Sequence, residues 1–219
     1  MELLFQEGNY VIKTLSAHEE IEAAFRLRHD VYCDELKWVP PSPDGIETDR
    51  YDSFSESIGV FDSTRRIVGY IRIIPSPYPF MIEKEFASLM SEGAKIDKNA
   101  DVHEVTRLCV KKETRSSLSF TNISHLLYKG LYQWNLSNKM RHSVMVVDKR
   151  CYRHLRLTCL PVEAVGDFHT MPDGVKAAVC TLDWRRFEEL SMEKRPEFLN
   201  WMSKLPVHYP SQLLSHGLY

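Results

Sequence analysis

Charged side chains occur in this sequence at points where apolar neighbours predict burial. Arg72 lies inside the strand-like run GYIRII, and Glu104 and Arg107 lie inside VHEVTRLCV. A charged group that is buried without a partner is strongly destabilising, so each of these side chains is expected to have a partner of opposite charge. Taken singly, Arg72 and Arg107 could instead lie on a solvent-facing side of a sheet or form structural ion pairs.

A second group of charged and aromatic residues lies in RHDVYCDELKWVPPSPDGIETDRYD, residues 28–52. Arginine binds a carboxylate through two parallel hydrogen bonds, and carboxylates bind or deprotonate an ammonium group. A pocket lined by guanidiniums and carboxylates is therefore suited to orient a zwitterion, and the pattern indicates an amino acid or a derivative of one. The residues of this stretch that carry the argument are Arg28, Tyr32, Trp38, Asp49 and Asp52.

The spacing of Glu104 and Arg107 places a condition on such a pocket. Residues three apart on a regular strand point to opposite faces, so the two side chains line one pocket only where a bulge or bend intervenes. The sequence alone leaves this point open.

The elements that must position these residues follow from hydrophobic periodicity and turn chemistry. Residues 18–37 read as an amphipathic helix with Ser16 as its N-cap, and the proline-rich residues 38–52 read as a loop. Residues 58–61 and 67–74 read as an antiparallel hairpin, followed by a polar helical excursion over residues 80–95.

From residue 102 onwards, strands and helices alternate. The predicted order is a strand at VHEVTRLCVKK, a helix at TNISHLLYKGLYQWNLSNK, a buried strand at SVMVVD, a short helix, strands at LPVEAVG and VKAAVCTLDW, and a helix over residues 184–204. This order predicts an α/β fold with a mixed sheet covered by helices on both faces.

Composition narrows the class of protein. A chain of 219 residues with 43% hydrophobic content is expected to form one domain, residues 1–219, and its formal net charge of -2 gives no indication of a nucleic-acid partner. The N-terminal residues do not resemble a signal peptide, and no segment approaches the ~18 apolar residues of a membrane span, so we expect a cytoplasmic protein. Five cysteines without a C-x-x-C pair are expected to be reduced core thiols, and the scattered histidines predict no metal centre.

The charged and aromatic positions also carry a resemblance to a known family. Their order and spacing look like the signature of the acyl-homoserine-lactone (autoinducer) synthases, a GNAT-like branch of acyltransferases, and the similarity spans roughly residues 20–185. The stretches VYCDEL and ETDRYDSFSES are also similar to the acyltransferases associated with exosortase and PEP-CTERM systems, and the N-acyl amino acid synthases share the layout. The matching positions are Arg28, Tyr32, Trp38, Asp49, Asp52, Arg72, Glu104 and Arg107.

The resemblance implies a three-layer α-β-α GNAT-like fold with a mixed, V-splayed central sheet. It implies an N-acyltransferase that moves a fatty acyl group from acyl carrier protein or acyl-CoA to the α-amine of S-adenosylmethionine or an amino acid, with no permanently bound cofactor. Glu104 is then the expected general base, and it forms the catalytic pair with Arg107. The residues implied to bind the acceptor are Arg28, Tyr32, Trp38, Asp49, Asp52 and Arg72.

The donor is suggested by a missing motif. GNAT enzymes that use acetyl-coenzyme A usually have a glycine-containing loop that cradles the pyrophosphate, whereas KKETRSSLSFTN has no glycine at this place. This favours a transient acyl carrier protein partner over coenzyme A. Two alternatives stay open: an acetyl-CoA-dependent GNAT acetyltransferase of a small amine, and a non-catalytic ligand-binding module on the same scaffold.

Overall fold

One mixed sheet of nine strands organises the computed structural model, which describes residues 2–90, 96–115 and 122–205. The strands run in the order β1-β2-β3-β4-β5-β6-β9, and β7 and β8 pair with the far side of β9. In chain order they are β1 (Leu4–Glu7), β2 (Tyr10–Thr14), β3 (Glu56–Phe61), β4 (Ile67–Pro75), β5 (Val102–Val110), β6 (His142–Asp148), β7 (Glu163–Ala164), β8 (His169–Thr170) and β9 (Lys176–Asp183).

Helices cover both faces of this sheet. The side chains of β4 alternate, so that Gly69 and Ile71 face α2 while Tyr70 and Arg72 face the side on which α1 packs. This arrangement confirms the expected α/β fold with a mixed sheet between helical layers. The helices are α1 (His18–Arg28), α2 (Ile123–Asn138), α3 (Lys149–Leu157), α4 (Trp184–Lys194) and α5 (Pro196–Ser203).

The predicted helix over residues 18–37 changes character at its middle. After α1 the chain continues as a π-helical segment, His29–Glu35, whose wider turns bury Val31, Tyr32 and Cys33. The prediction of Ser16 as N-cap is wrong, because Ala17 occupies that position and no side chain caps the first turn. A π-helical segment inside a helix often marks a functional site, and this one lies within the second sequence group, residues 28–52.

Two other predictions need correction, and one element was not predicted. Residues 80–90 form two short 3₁₀ turns, Met81–Glu83 and Ala87–Leu89, in place of an α-helix, and residues 91–95 lie outside the described residues. The predicted helix over residues 184–204 is divided between α4 and α5, because Pro196 starts a new helix. The β1–β2 hairpin was not predicted, although Gly8, with φ of +58°, provides the positive backbone angle that its tight turn requires.

All five cysteines carry free thiols in the structure, as expected. Cys33, Cys109 and Cys180 are buried, and Cys151 and Cys159 are half-buried. Among the described residues, no helix is both long and apolar enough to cross a membrane.

Candidate active site

A bulge in β5 meets the condition that the sequence placed on Glu104 and Arg107. Arg72 of β4 pairs with Thr106 and Tyr70 pairs with Cys109, so β5 contains one extra residue between these two pairs. Arg107 lies in this bulge with φ of +53°, an uncommon conformation for a non-glycine residue. The bulge breaks the regular alternation of side chains, and Glu104 and Arg107 line the same cavity.

The neighbouring strands part at the same place. β5 and β6 pair in parallel only from Val102 to Glu104 and from His142 to Val144, and beyond these residues no pairing joins them. A cavity of about 920 Å³ lies between the parted strands and is lined by residues 105–110 of β5 and residues 145–148 of β6. This is the V-shaped opening that the family resemblance implied.

A second cavity, of about 460 Å³, adjoins the first. Tyr32, Trp38 and Arg107 line both cavities, and Glu104 lines the second. The second cavity is also lined by further charged groups, among which acids outnumber bases: Lys37, Glu85, Asp148 and Asp173.

Three arginines and three carboxylates form a closed ring beside this second cavity. Each guanidinium contacts two of the acids and each acid contacts two of the guanidiniums, at N···O distances of 2.5–2.9 Å. We call this set the ion-pair ring; its charges cancel, and it joins α1, the loop after the π-helical segment, β4 and β5. In order, its members are Arg28, Glu47, Arg107, Asp49, Arg72 and Asp52.

Most of the ion-pair ring lies behind the cavity wall. The Arg28 and Arg72 side chains are 0% exposed, and neither lines either of these two cavities. Arg72 also donates from Nε to Thr106 Oγ1 at 2.9 Å, which ties it to the partner strand just before the bulge. In this structure the two buried arginines therefore hold other groups in place, and Arg107 is the ring member that reaches the cavities.

Glu47 is the ring member that the sequence analysis missed. Its carboxylate is 2% exposed and accepts from Arg28 Nε at 2.5 Å and from Arg107 Nη2 at 2.9 Å. Burial would raise the pKa of Glu47, but hydrogen bonds from the two guanidiniums outweigh it and lower the pKa. The same balance lowers the pKa of Asp49, which accepts from Arg72 and Arg107.

Glu104 stands apart from the ring in a different environment. Its carboxylate is buried and accepts from the backbone N–H groups of Met81 at 2.5 Å and Ile82 at 3.0 Å. Burial raises the pKa of Glu104 to about 7, and the two backbone hydrogen bonds oppose that rise without cancelling it. A carboxyl group with this pKa can accept a proton at neutral pH, as a general base must.

Two aromatic side chains connect the bulge to the cavity mouth. The Tyr32 hydroxyl donates to the backbone carbonyl of Leu108, inside the bulge, at 2.8 Å, and its ring lies 5.4 Å from the Arg107 guanidinium carbon. Trp38 packs against Tyr32 with ring centroids 6.1 Å apart and is 41% exposed. The π-helical segment thus places the Tyr32 phenol on the bulge, and the chain just after it places the Trp38 indole beside both cavities.

The eight residues that the sequence singled out therefore come together around one site, in two roles. Four line the cavities and four lie in the ring behind them. The cavity-lining group is Tyr32, Trp38, Glu104 and Arg107, and the group behind is Arg28, Asp49, Asp52 and Arg72.

Elsewhere in the described residues, one group of side chains has donor atoms close enough together to hold a metal ion. His29, Asp30 and Asp34 bring one ligand atom each within 4.8 Å of the others. Both acids are exposed, and the group lies outside the lining of either cavity.

Comparison with known proteins gives a consistent result. The family model described as autoinducer synthase matches residues 13–189. A probable acyl-homoserine-lactone synthase of Sinorhizobium fredii is 28% identical over 193 residues, which cover 86% of this chain and 86% of the relative. An acyl-homoserine-lactone synthase of Agrobacterium fabrum is 29% identical over 147 residues, covering 65% of this chain and 69% of the relative.

Solved structures share the fold at lower sequence identity. The AHL synthase LasI superposes with a TM-score of 0.70 at 18% identity and covers 80% of this chain and 89% of its own. The CoA-dependent acyl-homoserine lactone synthase BjaI, solved with SAM and isopentyl-CoA, has a TM-score of 0.70 at 21% identity, with coverages of 86% and 85%. FeeM, an N-acyl amino acid synthase, has a TM-score of 0.57 at 16% identity and covers 83% of this chain and 93% of its own.

Proposed function

This chain belongs to the autoinducer synthase family and is an acyltransferase, and from that premise we propose that it transfers a fatty acyl group to the α-amine of S-adenosylmethionine. The observation that carries the proposal is that two cavities meet at Arg107, and that Glu104 lines the smaller of them. The larger one suits an acyl thioester that enters between parted strands, and the smaller one suits the acceptor. Membership of a synthase family also leaves no support for a non-catalytic module.

Glu104 acts as the general base in this proposal. The ammonium group of the acceptor cannot attack a thioester until it loses a proton, and the Glu104 carboxylate takes that proton directly or through one water. The amine then attacks the thioester carbonyl, the carbon–sulfur bond breaks, and the donor leaves as a thiol. The proton on Glu104 is available for the departing thiolate.

The bulge supplies the electrostatic part of the mechanism. Attack on the thioester puts negative charge on the former carbonyl oxygen, and backbone N–H groups aimed at that oxygen stabilise it. Arg107 and Leu108 fall between the register pairs that join β4 to β5, so their backbone is available to turn towards the cavity. The Tyr32 hydroxyl holds the Leu108 carbonyl and thereby fixes the orientation of this part of the bulge.

Charge favours S-adenosylmethionine over a plain amino acid as the acceptor. The second cavity is lined by the acids Glu85, Asp148 and Asp173 in addition to Glu104, and Trp38 offers an aromatic face. A sulfonium is attracted by both kinds of group, whereas a plain amino acid has no such cation on its side chain. Arg107 provides a guanidinium for the acceptor carboxylate.

The same acceptor allows the product to cyclise. After N-acylation, the acceptor carboxylate can attack the carbon bonded to sulfur, so that a carbon–oxygen bond forms and a carbon–sulfur bond breaks. The sulfonium leaves as neutral methylthioadenosine, and the acylated fragment becomes a homoserine lactone. This step needs no further oxidant, reductant or base.

We also propose acyl carrier protein as the donor's carrier. Basic residues lie at the outer end of the larger cavity, where the phosphate of a pantetheine arm and an acidic carrier protein would meet the enzyme. In KKETRSSLSFTN, the glycine-free stretch that favoured this donor, residues 116–121 lie outside the described part of the chain. The basic residues that line the cavity are Arg115, Lys149, Arg150, Arg153 and Lys176.

Mass spectrometry of the reaction products tests the function. The purified protein is incubated with S-adenosylmethionine and with fatty acyl carrier protein or acyl-CoA, and parallel reactions replace the acceptor with free amino acids. We expect an N-acyl homoserine lactone and an equal amount of methylthioadenosine, formed faster from the carrier-protein donor. N-acyl amino acids without methylthioadenosine would reject the proposed acceptor, and faster turnover of acyl-CoA would reject the proposed carrier.

A further inference from the structure

The larger cavity has two ends of different chemistry. Its outer end carries Lys149, Arg150 and Lys176, whereas the other end is lined by buried apolar side chains. An acyl chain would leave the polar end and extend into the apolar one. The residues of the apolar end are Leu155, Leu160, Val162, Leu182 and Trp184.

The strand β9 spans this distance. Lys176 at the start of β9 lines the polar end, and Leu182 near its end lines the apolar one. Six residues at about 3.3 Å each separate them by roughly 20 Å. Trp184 follows two residues later, as the first residue of α4.

Trp184 is fixed by a buried chain of hydrogen bonds. Its indole Nε1 donates to Ser143 Oγ at 2.8 Å, and Ser143 Oγ lies 2.8 Å from His103 Nε2. Ser143 and His103 are both 0% exposed, and they are paired residues in the short region where β5 and β6 still pair. The orientation of the indole is therefore tied to the apex at which the two strands part.

An aromatic wall stands behind the indole. Tyr132 and Phe187 pack against Trp184 with ring centroids 5.5 and 5.6 Å away, and both lie outside the cavity lining. Both are also buried. The cavity consequently ends at Trp184 as a closed pocket and does not continue through α4 as a tunnel.

We propose that Trp184 closes the acyl end of the cavity and sets the longest acyl chain that the enzyme accepts. This inference rests on the proposed function, since it identifies the substrate that the larger cavity holds as an acyl thioester of limited chain length. Trp184 acts here as a specificity-determining residue, and His103 and Ser143 position it.

The test compares Trp184→Leu and Trp184→Ala with the wild type across saturated acyl thioesters of increasing chain length. Each methylene that gains a buried site should raise kcat/KM by about fourfold. Both variants should therefore accept chains beyond the wild-type limit and improve by about fourfold for each carbon added there. Trp201→Leu is the matched control, because Trp201 is partly buried against Phe198 and outside the cavity, and its length profile should equal that of the wild type.

A second measurement separates this inference from the proposed function. Binding of S-alkyl pantetheine thioethers of the same lengths is measured by titration calorimetry, which needs no turnover. An extended length limit in the Trp184 variants, in turnover or in binding alone, supports the inference even if no acyl transfer occurs. Active variants whose chain-length limit equals that of the wild type overturn the inference. A wild type that binds no thioether also overturns it. Melting curves show which variants are folded.

Discussion

Glu104 sits in an environment that pulls its pKa in opposite directions. Burial disfavours the carboxylate, while the N–H groups of Met81 and Ile82 favour it, and the result is a pKa of about 7. A base with this pKa is half ionised near the pH at which it works, which is efficient for proton abstraction. Two ring carboxylates, Glu47 and Asp49, have lowered pKa values and are too weakly basic for this role.

We predict that Glu104→Gln lowers the rate of acyl transfer by about 10²–10⁴-fold, because the amide cannot accept the proton. The wild-type kcat/KM should rise as the pH rises towards about 7, following ionisation of Glu104 in the free enzyme. Initial rates between pH 5 and 9 check both statements. Glu189→Gln, at an exposed acid on α4, is the control and should keep the wild-type rate and profile; a Glu104→Gln variant with a wild-type rate contradicts the assigned base.

Glu47 illustrates what the sequence concealed at this scale. It lies in PPSPDGIETD, where proline and glycine predict an exposed loop, and an acid in such a loop is normally a surface group. The one feature of the sequence that could have pointed to Glu47 is its position two residues before Asp49. The burial of Glu47 depends on Arg28 and Arg107, which lie 19 and 60 residues away in the sequence.

We predict that Glu47→Gln lowers the free energy of unfolding by about 3–5 kcal/mol, since it leaves buried guanidinium charge without its partner. Urea denaturation measures the change. Glu22→Gln breaks the exposed Glu22–Arg26 pair on α1 and should cost no more than about 1 kcal/mol. Equal losses in the two variants would mean that the ion-pair ring contributes no more than a surface pair.

At the scale of elements, local patterns predicted the strands and helices that have strong periodicity. β3 to β6, β9 and α2 follow directly from β-branched runs and from the 3.6-residue period. The bulge in β5 could not be predicted, because it depends on the register against β4 and on no residue type within β5. The π-helical segment could not be predicted either, because its apolar residues also fit an ordinary α-helix.

The contact between α2 and β4 depends on a residue without a side chain. A Cβ atom at Gly69 would lie 2.4 Å from Ile123 Cγ2, and a β-branched side chain at the start of a helix has little freedom to move away. Gly69 therefore lets α2 approach the strand that carries Arg72.

We predict that Gly69→Ala destabilises the protein by about 1–3 kcal/mol through overpacking, which outweighs the gain expected from replacing glycine in a strand. Thermal or urea unfolding measures the loss. Gly130→Ala is the comparison, because its Cβ would meet Ile12 and Ile58 at 3.1 Å and alanine favours the helix, so a net change near zero is expected. A stabilised Gly69→Ala variant would show that the contact is looser than described.

At the scale of the whole molecule, the fold brings residues that are distant in the sequence together around one site. The sequence singled out eight residues, six of them charged groups that need partners when buried and all of them positions of the family resemblance, and the structure brings them together. The sequence could not predict that Arg28 and Arg72 face the inside of a ring and not the cavity, since that distinction depends on the packing of α1 against β4. In the proposed mechanism the ion-pair ring and Glu104 therefore have separate roles: the ring holds the site together, and Glu104 accepts the proton.

This separation has a consequence for the pH dependence of stability. Glu47 and Asp49 have lowered pKa values in the folded state, so their contribution is present above their unfolded values of about 4 and is lost as the pH falls below them. Burial lowers the pKa of His103 to about 3, so protonation of this residue in the unfolded chain also removes stability as the pH falls below about 6.5. Glu104 has the opposite sign: its pKa is raised, so the folded state holds this proton more tightly and stability is lost as the pH rises from about 4 to about 7.

We predict that the Glu104→Gln variant gains stability relative to the wild type across that same interval. The amide cannot ionise, so the difference between the two unfolding free energies should grow from about pH 4 to about pH 7 and stay constant above it, whatever fixed offset the substitution introduces. Urea denaturation of both proteins at half-unit steps of pH measures this difference, in which the contributions of Glu47, Asp49 and His103 cancel. A difference that is flat over the interval would mean that Glu104 titrates at an ordinary pKa, and the assignment of this residue as the base would then lose its physical ground.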